Sequence, residues 1–158
     1  MTRYFIVGGA GFIGSHFCDH LMSLADTSAV TIYDNFTSGR EWHVAHHLSD
    51  PRFSIARGEI RDSSFLTKAM AGHDVVIHLA SNPDIAKAVT EPDIDFREGT
   101  LLTNNVLEAM RLGSVPQILY ASGSGVYGDT GELVVREDHS PNSRPTTKVL
   151  KHPIVVRL

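Results

Sequence analysis

The sequence predicts an α/β fold built on a doubly wound parallel sheet, and three observations carry that expectation. Short apolar runs such as residues 4–7 and 75–77 alternate with stretches whose apolar residues recur at helical spacing. These runs are nearly continuous rather than alternating, the pattern of strands covered on both faces. The first run passes directly into glycines at 8, 11 and 14 and then into a helical pattern. A chain of 158 residues is long enough for one domain with a real core.

The elements follow in order. A strand is expected over residues 4–8 and a helix over 12–25, where Phe12, Ile13, Phe17, Leu21 and Met22 repeat at helical spacing. A second strand covers 29–34 and ends in Asp34; the polar stretch Asp-Asn-Phe-Thr-Ser-Gly-Arg (34–40) reads as a loop, with a short helix over 41–48 after it. A third strand is expected over 53–57 and a helix over 63–70, with Ser63 as its cap. Residues 74–80 form the next buried strand. Pro92 and Asp93 open a long helix carrying Leu101, Leu102, Val106, Leu107 and Met110, and a fifth strand covers 117–121. Such alternation calls for right-handed crossovers and helices on both faces of the sheet. From Pro141 to Pro153 there is neither clean periodicity nor a helix signal, and residues 154–158 have the composition of one more strand.

The glycines give the first element its chemistry. Gly8 permits a tight turn with unusual dihedrals, Gly11 lets a pyrophosphate approach the backbone, and Gly14 lets the helix pack close to the strand. The helix start then offers free N–H groups and the positive end of its dipole to phosphates. Asp34 stands 20 residues beyond Gly14, at the end of the second strand, where a ribose-binding carboxylate is expected. Together these residues point to a dinucleotide.

Composition narrows the class. The chain is 42% hydrophobic and 20% charged, ordinary for a soluble globular protein. Its net charge of −4 gives no reason to expect a nucleic-acid partner. A single cysteine, Cys18, excludes an internal disulfide and is expected to be a buried structural thiol. The apolar opening at Tyr4 is too short for a signal peptide, no run reaches membrane-spanning length, and the cytoplasm is the expected compartment.

Six stretches resemble, in order and spacing, the extended short-chain dehydrogenase/reductases, and within them the NAD-dependent sugar-nucleotide epimerases and dehydratases of the UDP-glucose 4-epimerase type. They are Gly-Gly-Ala-Gly-Phe-Ile-Gly (8–14), Tyr-Asp-Asn-Phe-Thr-Ser-Gly-Arg (33–40), Gly-Glu-Ile-Arg-Asp (58–62), His-Leu-Ala-Ser-Asn-Pro (78–83), Glu-Gly-Thr-Leu (98–101) and Ala-Ser-Gly-Ser-Gly-Val-Tyr-Gly (121–128). The resemblance implies a Rossmann-type NAD-binding domain over residues 1–140. It puts Gly8, Gly11, Phe12, Ile13 and Gly14 on the cofactor, Asp34 on the adenosine ribose, and Asn35, Thr37, Ser38, Gly39 and Arg40 around that end. Glu59 and Ile60 fall where the family meets adenine. Leu79, Ala80 and Ser81 pass beneath the pyrophosphate and nicotinamide ribose. Ser122 and Ser124 flank the catalytic Ser/Thr position, which here is Gly123, and Phe96 stands where many relatives have a cofactor-contacting Asn.

The resemblance also implies the chemistry: NAD takes hydride from a UDP-sugar ring carbon while a tyrosinate, its pKa lowered by a lysine, removes the hydroxyl proton, and the hydride then returns to the opposite face. That Tyr-x-x-x-Lys pair is expected about 20 residues after Val-Tyr-Gly. Here the last tyrosine is Tyr127, and the residues four before Lys148 and Lys151 are Arg144 and Thr147. Residues 141–158 therefore read as an atypical tail, with the sheet incomplete and the family's substrate domain absent. Two readings follow for this chain: the cofactor-binding half of an epimerase, or a catalytically inactive dinucleotide-binding module. Dehydratase chemistry is a third. An incomplete sheet leaves an apolar edge and face exposed, from which a homodimer is expected.

Other features have simpler explanations. His43, His46 and His47 share a predicted helix at metal-binding spacings, but with no carboxylate or cysteine beside them no metal is expected. Asp93 and Asp95 suit a helix start. His78 is read as a packed, hydrogen-bonded core histidine, and Tyr127 as structural.

Overall fold

The computed structural model describes residues 1–81, 87–91, 93–121, 127, 134–136 and 138. The chain divides into two compact units, one through Leu119 and one beginning at Tyr120. The first contains strands β1 (Thr2–Val7), β2 (Thr27–Asp34), β3 (Phe53–Arg57) and β4 (Val75–His78), and helices α1 (Phe12–Ser23), α2 (Ser63–Met70), α3 (Lys87–Thr90) and α4 (Leu101–Gly113); β5 (Gln117–Tyr120) runs to the boundary. The sheet order is β3-β2-β1-β4-β5. β1 pairs in parallel with β2 on one side and β4 on the other, and β2 pairs in parallel with β3. The expected fold class is what forms, with each strand within about two residues of its sequence-derived position.

The central strand explains the layering. Phe5, Ile6 and Val7 are wholly buried, and successive side chains point to opposite faces of the sheet. Ile6 joins Val30, Ile32 and Ile77 in a cluster with Cys18, Leu21 and Met22 of α1. Phe5 packs instead against Tyr33, ring centroids 5.6 Å apart, and Tyr33 against Phe65 of α2 at 6.0 Å. Burying each such side chain contributes about 1.5–3 kcal/mol, so β1 anchors both faces at once. Cys18 is the structural thiol expected: burial, with the Asp19 charge beside it, pushes its pKa up to about 12.

Several local expectations are corrected. The buried stripe of α1 is Gly14, Ser15, Cys18, Leu21 and Met22, while Phe12 and Ile13 stand 73% and 59% exposed at its start. Residues 41–48 form two short 3₁₀ turns, Glu41–His43 and Ala45–His47, rather than one helix. Asp62, not Ser63, caps α2, its carboxylate accepting from Phe65 N–H at 3.0 Å. The long helix is also interrupted, with a π-helical turn over Phe96–Thr100 preceding α4. The proposed strand at 154–158 lies outside the described residues.

His78 ends β4 almost completely buried, its Nε2 3.2 Å from Thr103 Oγ1. Burial lowers its pKa from 6.5 to about 4. His73, buried with its Nε2 2.8 Å from Thr31 Oγ1, is lowered in the same direction, again chiefly by burial. The unfolded chain thus binds protons at His78 below about pH 6.5 while the folded chain takes none until about pH 4. Stability should therefore fall as pH drops through that window, by up to about 3 kcal/mol from His78. Denaturant titrations at pH 7 and pH 4.5 should show this loss, and His78→Gln should reduce it; an unchanged pH profile in that variant would contradict the assignment.

Candidate functional site

The ends of β1, β2 and β4 bring the sequence-predicted residues together. In this strand order the chain runs outward from β1 to β2 and β3 and then crosses back to β4 on the other side of β1, a reversal that opens a crevice beyond the carboxyl ends of β1 and β4. Gly8 follows β1 with φ +83°, a conformation costly for other residues, and a Cβ there would meet Ala80 N at 2.8 Å. Leu79 and Ala80 in turn donate their N–H groups to Val7 O at 2.9 and 3.2 Å. The turn after β1 and the turn after β4 are thus seated on one another.

Gly14 allows the second close approach, since a Cβ there would fall 2.7 Å from Gly9 Cα and collide with Gly8 O. Gly11 differs. Its φ is −72°, which any residue adopts, and the one atom a Cβ would approach is Gly8 O at 3.3 Å. Neither fold nor close packing demands glycine at that position, but a ligand lying over the turn would. Gly11 is also the N-cap of α1, with no side-chain hydrogen bond and no acidic residue in the first turn. The helix start keeps its positive end unneutralised by side chains, the condition for receiving an anion. The exposed Phe12 and Ile13 flank it.

Asp34 closes the other side. Its side chain is buried at the end of β2, where Oδ2 accepts from Ala10 N–H at 2.9 Å and Oδ1 from Phe36 N–H at 2.8 Å. A carboxylate has about four lone-pair sites, so capacity remains for sugar hydroxyls. Phe36 takes a left-handed φ of 61°, and the guanidinium of Arg57 lies 4.1 Å from its ring centroid. The loop then folds over Ala10: Arg40 N–H donates to Ala10 O at 3.0 Å, and buried Gly39 leaves no room for a Cβ against Ala10. Thr37, Ser38 and the Arg40 side chain are exposed at the rim.

Beyond β3, Asn35 Nδ2 donates to Glu59 Oε1 at 3.0 Å and Tyr33 Oη donates to Glu59 O at 2.8 Å. Burial, with Asp62 and Glu59 nearby, pushes the Tyr33 hydroxyl up to about 12, keeping it a neutral donor. Ile60 is buried, and its carbonyl accepts from Asn105 Nδ2 at 3.3 Å. Ser81 is exposed after β4, and Phe96, 59% exposed, opens the π-helical turn, a feature often found at functional positions. Ser122 and Ser124 lie outside the described residues.

Two contributors had no sequence signal. His43 Nδ1 sits 2.7 Å from Ala10 O, so the first 3₁₀ turn braces the glycine turn. Asp19 of α1 meets His46 and His47, correcting the expectation that these histidines lack a carboxylate neighbour.

Comparison with known proteins agrees with this geometry. The family model described as NAD dependent epimerase/dehydratase family matches residues 4–149. A putative UDP-glucose 4-epimerase of Methanocaldococcus jannaschii is 35% identical over 139 residues, 87% of this chain and 43% of that protein. UDP-glucuronic acid decarboxylase 2 of Arabidopsis thaliana is 36% identical over 128 residues, 80% of this chain and 27% of that protein. Among solved structures, UDP-glucose 4-epimerase from Brucella ovis in complex with NAD superposes with a TM-score of 0.76 at 27% identity, covering 95% of this chain and 45% of its own. The chain therefore spans less than half the length of these relatives.

Two substitutions separate ligand contact from scaffold. Gly11→Val should leave the circular dichroism spectrum unchanged and abolish dinucleotide binding by calorimetry; a folded variant that still binds normally would remove Gly11 from the site. Asp34→Ala strips the acceptor from two backbone N–H groups and should cost about 1–3 kcal/mol in denaturant unfolding as well as weakening binding.

Proposed function

The chain belongs to the NAD dependent epimerase/dehydratase family, and from that premise we propose that its residues hold NAD for the epimerisation of a UDP-linked sugar. The observation that carries the cofactor part is the uncapped start of α1 beside Gly11, with the Asp34 carboxylate across from it. Backbone N–H groups of the turn and helix start receive the pyrophosphate. Asp34 accepts from the ribose hydroxyls, and its charge opposes the 2′-phosphate of NADP. Asn35, Thr37, Ser38, Gly39 and Arg40 line the adenosine end, with Glu59 and Ile60 next to adenine. Leu79, Ala80 and Ser81 lie under the pyrophosphate and nicotinamide ribose, and Ser122 and Ser124 flank, in sequence, the family's catalytic Ser/Thr position. Bound NAD supplies the hydride acceptor and donor that epimerisation needs.

The relatives' names support a nucleotide-sugar substrate and more than one chemistry, since one is named an epimerase and another a decarboxylase. The structural match to an NAD complex of a UDP-glucose 4-epimerase supports epimerisation, and a match of the same quality to a dTDP-glucose 4,6-dehydratase with NAD bound keeps dehydration as the alternative. On this reading residues 1–140 are the cofactor-binding part. A second reading, a dinucleotide-binding module without turnover, is favoured by one sequence fact: no Tyr-x-x-x-Lys follows Tyr127 within these 158 residues. A missing general base alone typically lowers the rate by about 10²–10⁴-fold. Exposed Leu107 and Leu112 on α4 support self-association, and no helix among the described residues is long and apolar enough to cross a membrane.

Calorimetry of the purified chain should give tighter binding of NAD than of NADP; equal or tighter NADP binding would overturn the role of Asp34. A coupled assay with NAD and UDP-glucose, UDP-galactose or UDP-glucuronate should give no turnover from these 158 residues alone. A rate within tenfold of an ordinary enzyme's would show that the base lies among them.

A further inference from the structure

The segment that braces the glycine turn also builds a second constellation, on the outer side of α1. His46 Nε2 lies 2.8 Å and His47 Nε2 2.7 Å from the same oxygen, Asp19 Oδ1. One ligand atom from each residue can be chosen so that all three lie within 4.8 Å of one another. We propose that Asp19, His46 and His47 form a binding site for a divalent zinc ion, which clamps the 3₁₀ segment to α1.

The donor set suits that ion: two imidazole nitrogens and one carboxylate oxygen, with water completing four-coordination. Tetrahedral ligands about 2.0–2.1 Å from zinc stand about 3.3 Å apart, so each Nε2 moves out from Asp19 Oδ1 by about half an ångström, and the two nitrogens, within 4.8 Å of each other, take up the same spacing. Each ring then carries its proton on Nδ1 and turns a lone pair at Nε2 to the metal. Two of the three ligands are already held. Asp19 rides on a helix fixed in the core by its buried neighbour Cys18, whose burial keeps it out of the ligand set. His47 has a side chain only 15% exposed, and its ring packs on Phe53 at 5.5 Å. His46 is the adjustable ligand, 56% exposed and 4.1 Å from the His47 ring. His16 lies further out, its Nδ1 3.9 Å from Asp19 Oδ2. His43 lies outside the cluster, its Nδ1 2.7 Å from Ala10 O.

The consequence is mechanical. The same short segment touches Ala10 through His43 and α1 through His46 and His47. An ion bound there ties the loop covering the glycine turn to the helix that begins at that turn.

The test uses the untagged full chain, stripped with chelator and titrated with Zn²⁺ by calorimetry. One ion per chain is expected, with slowed amide exchange over residues 44–48. His46→Gln and Asp19→Asn should each weaken binding at least about tenfold, as even supporting partners of metal ligands are worth 10–100-fold. His46 is exposed enough for its variant to fold, which circular dichroism checks. His20→Gln, altering an exposed histidine of α1 outside the cluster, should bind as the parent does. No one-to-one binding, or equal affinity in the parent and in His46→Gln, would overturn the proposal.

Discussion

The bond from Ala10 N–H to Asp34 Oδ2 is the constraint on which the site depends. It joins the turn after β1 to the end of β2 across the groove where the two strands part, and it does so inside the protein. An unmet N–H or carboxylate there would carry a desolvation penalty larger than the net worth of an ordinary hydrogen bond. Everything nearby is arranged to keep that bond made. Asp34 Oδ1 is fixed by Phe36 N–H, Ala10 O is taken by Arg40 N–H and His43, and Gly39 lies so close that no side chain fits. The residue that sequence reasoning assigns to a ribose is also the fastener of the glycine turn. A carboxylate already oriented by backbone donors needs no reorganisation to accept two more.

The strands were legible because burial on two faces leaves continuous apolar runs, and β1 has no solvent-facing position in its last three residues. Gly8 and Gly14 were legible because backbone there leaves no room for a Cβ, and Asp34 because it stands at the end of a buried strand at a fixed distance from them. Phe12 and Ile13 fit the helical period of α1 yet stand exposed at its start, because at a helix terminus periodicity does not report which face is covered. Residues 41–48 depart from their period in another way. Their histidines repeat at helical spacing, but the segment is held by outside partners, Ala10 and Asp19, and short 3₁₀ turns satisfy those partners better than a continuous helix would. Contacts spanning 27 or more residues, such as those of Asp19, leave no periodic trace.

Under the proposed function, phosphate binding would depend little on side chains. The donors would be N–H groups at a helix start left without a side-chain cap, and the side-chain requirement at Gly11 would be for absence. Such a site would tolerate sequence change everywhere except where a Cβ would intrude, which is compatible with a fold shared at 27% identity with a solved structure. It would also discriminate weakly between chemistries. Identity to a relative named as an epimerase is 35%, and to one named as a decarboxylase 36%. On the proposed reading, either activity would ask the same service of the first 140 residues: a dinucleotide held by backbone and one carboxylate. The distinction between them has to be carried by groups that touch the sugar, and in this chain the nearest sequence-derived candidates begin only at Ser122. A substitution that converts one activity to another is therefore to be sought beyond β5, while substitutions in the glycine turn or at Asp34 should affect every such activity alike.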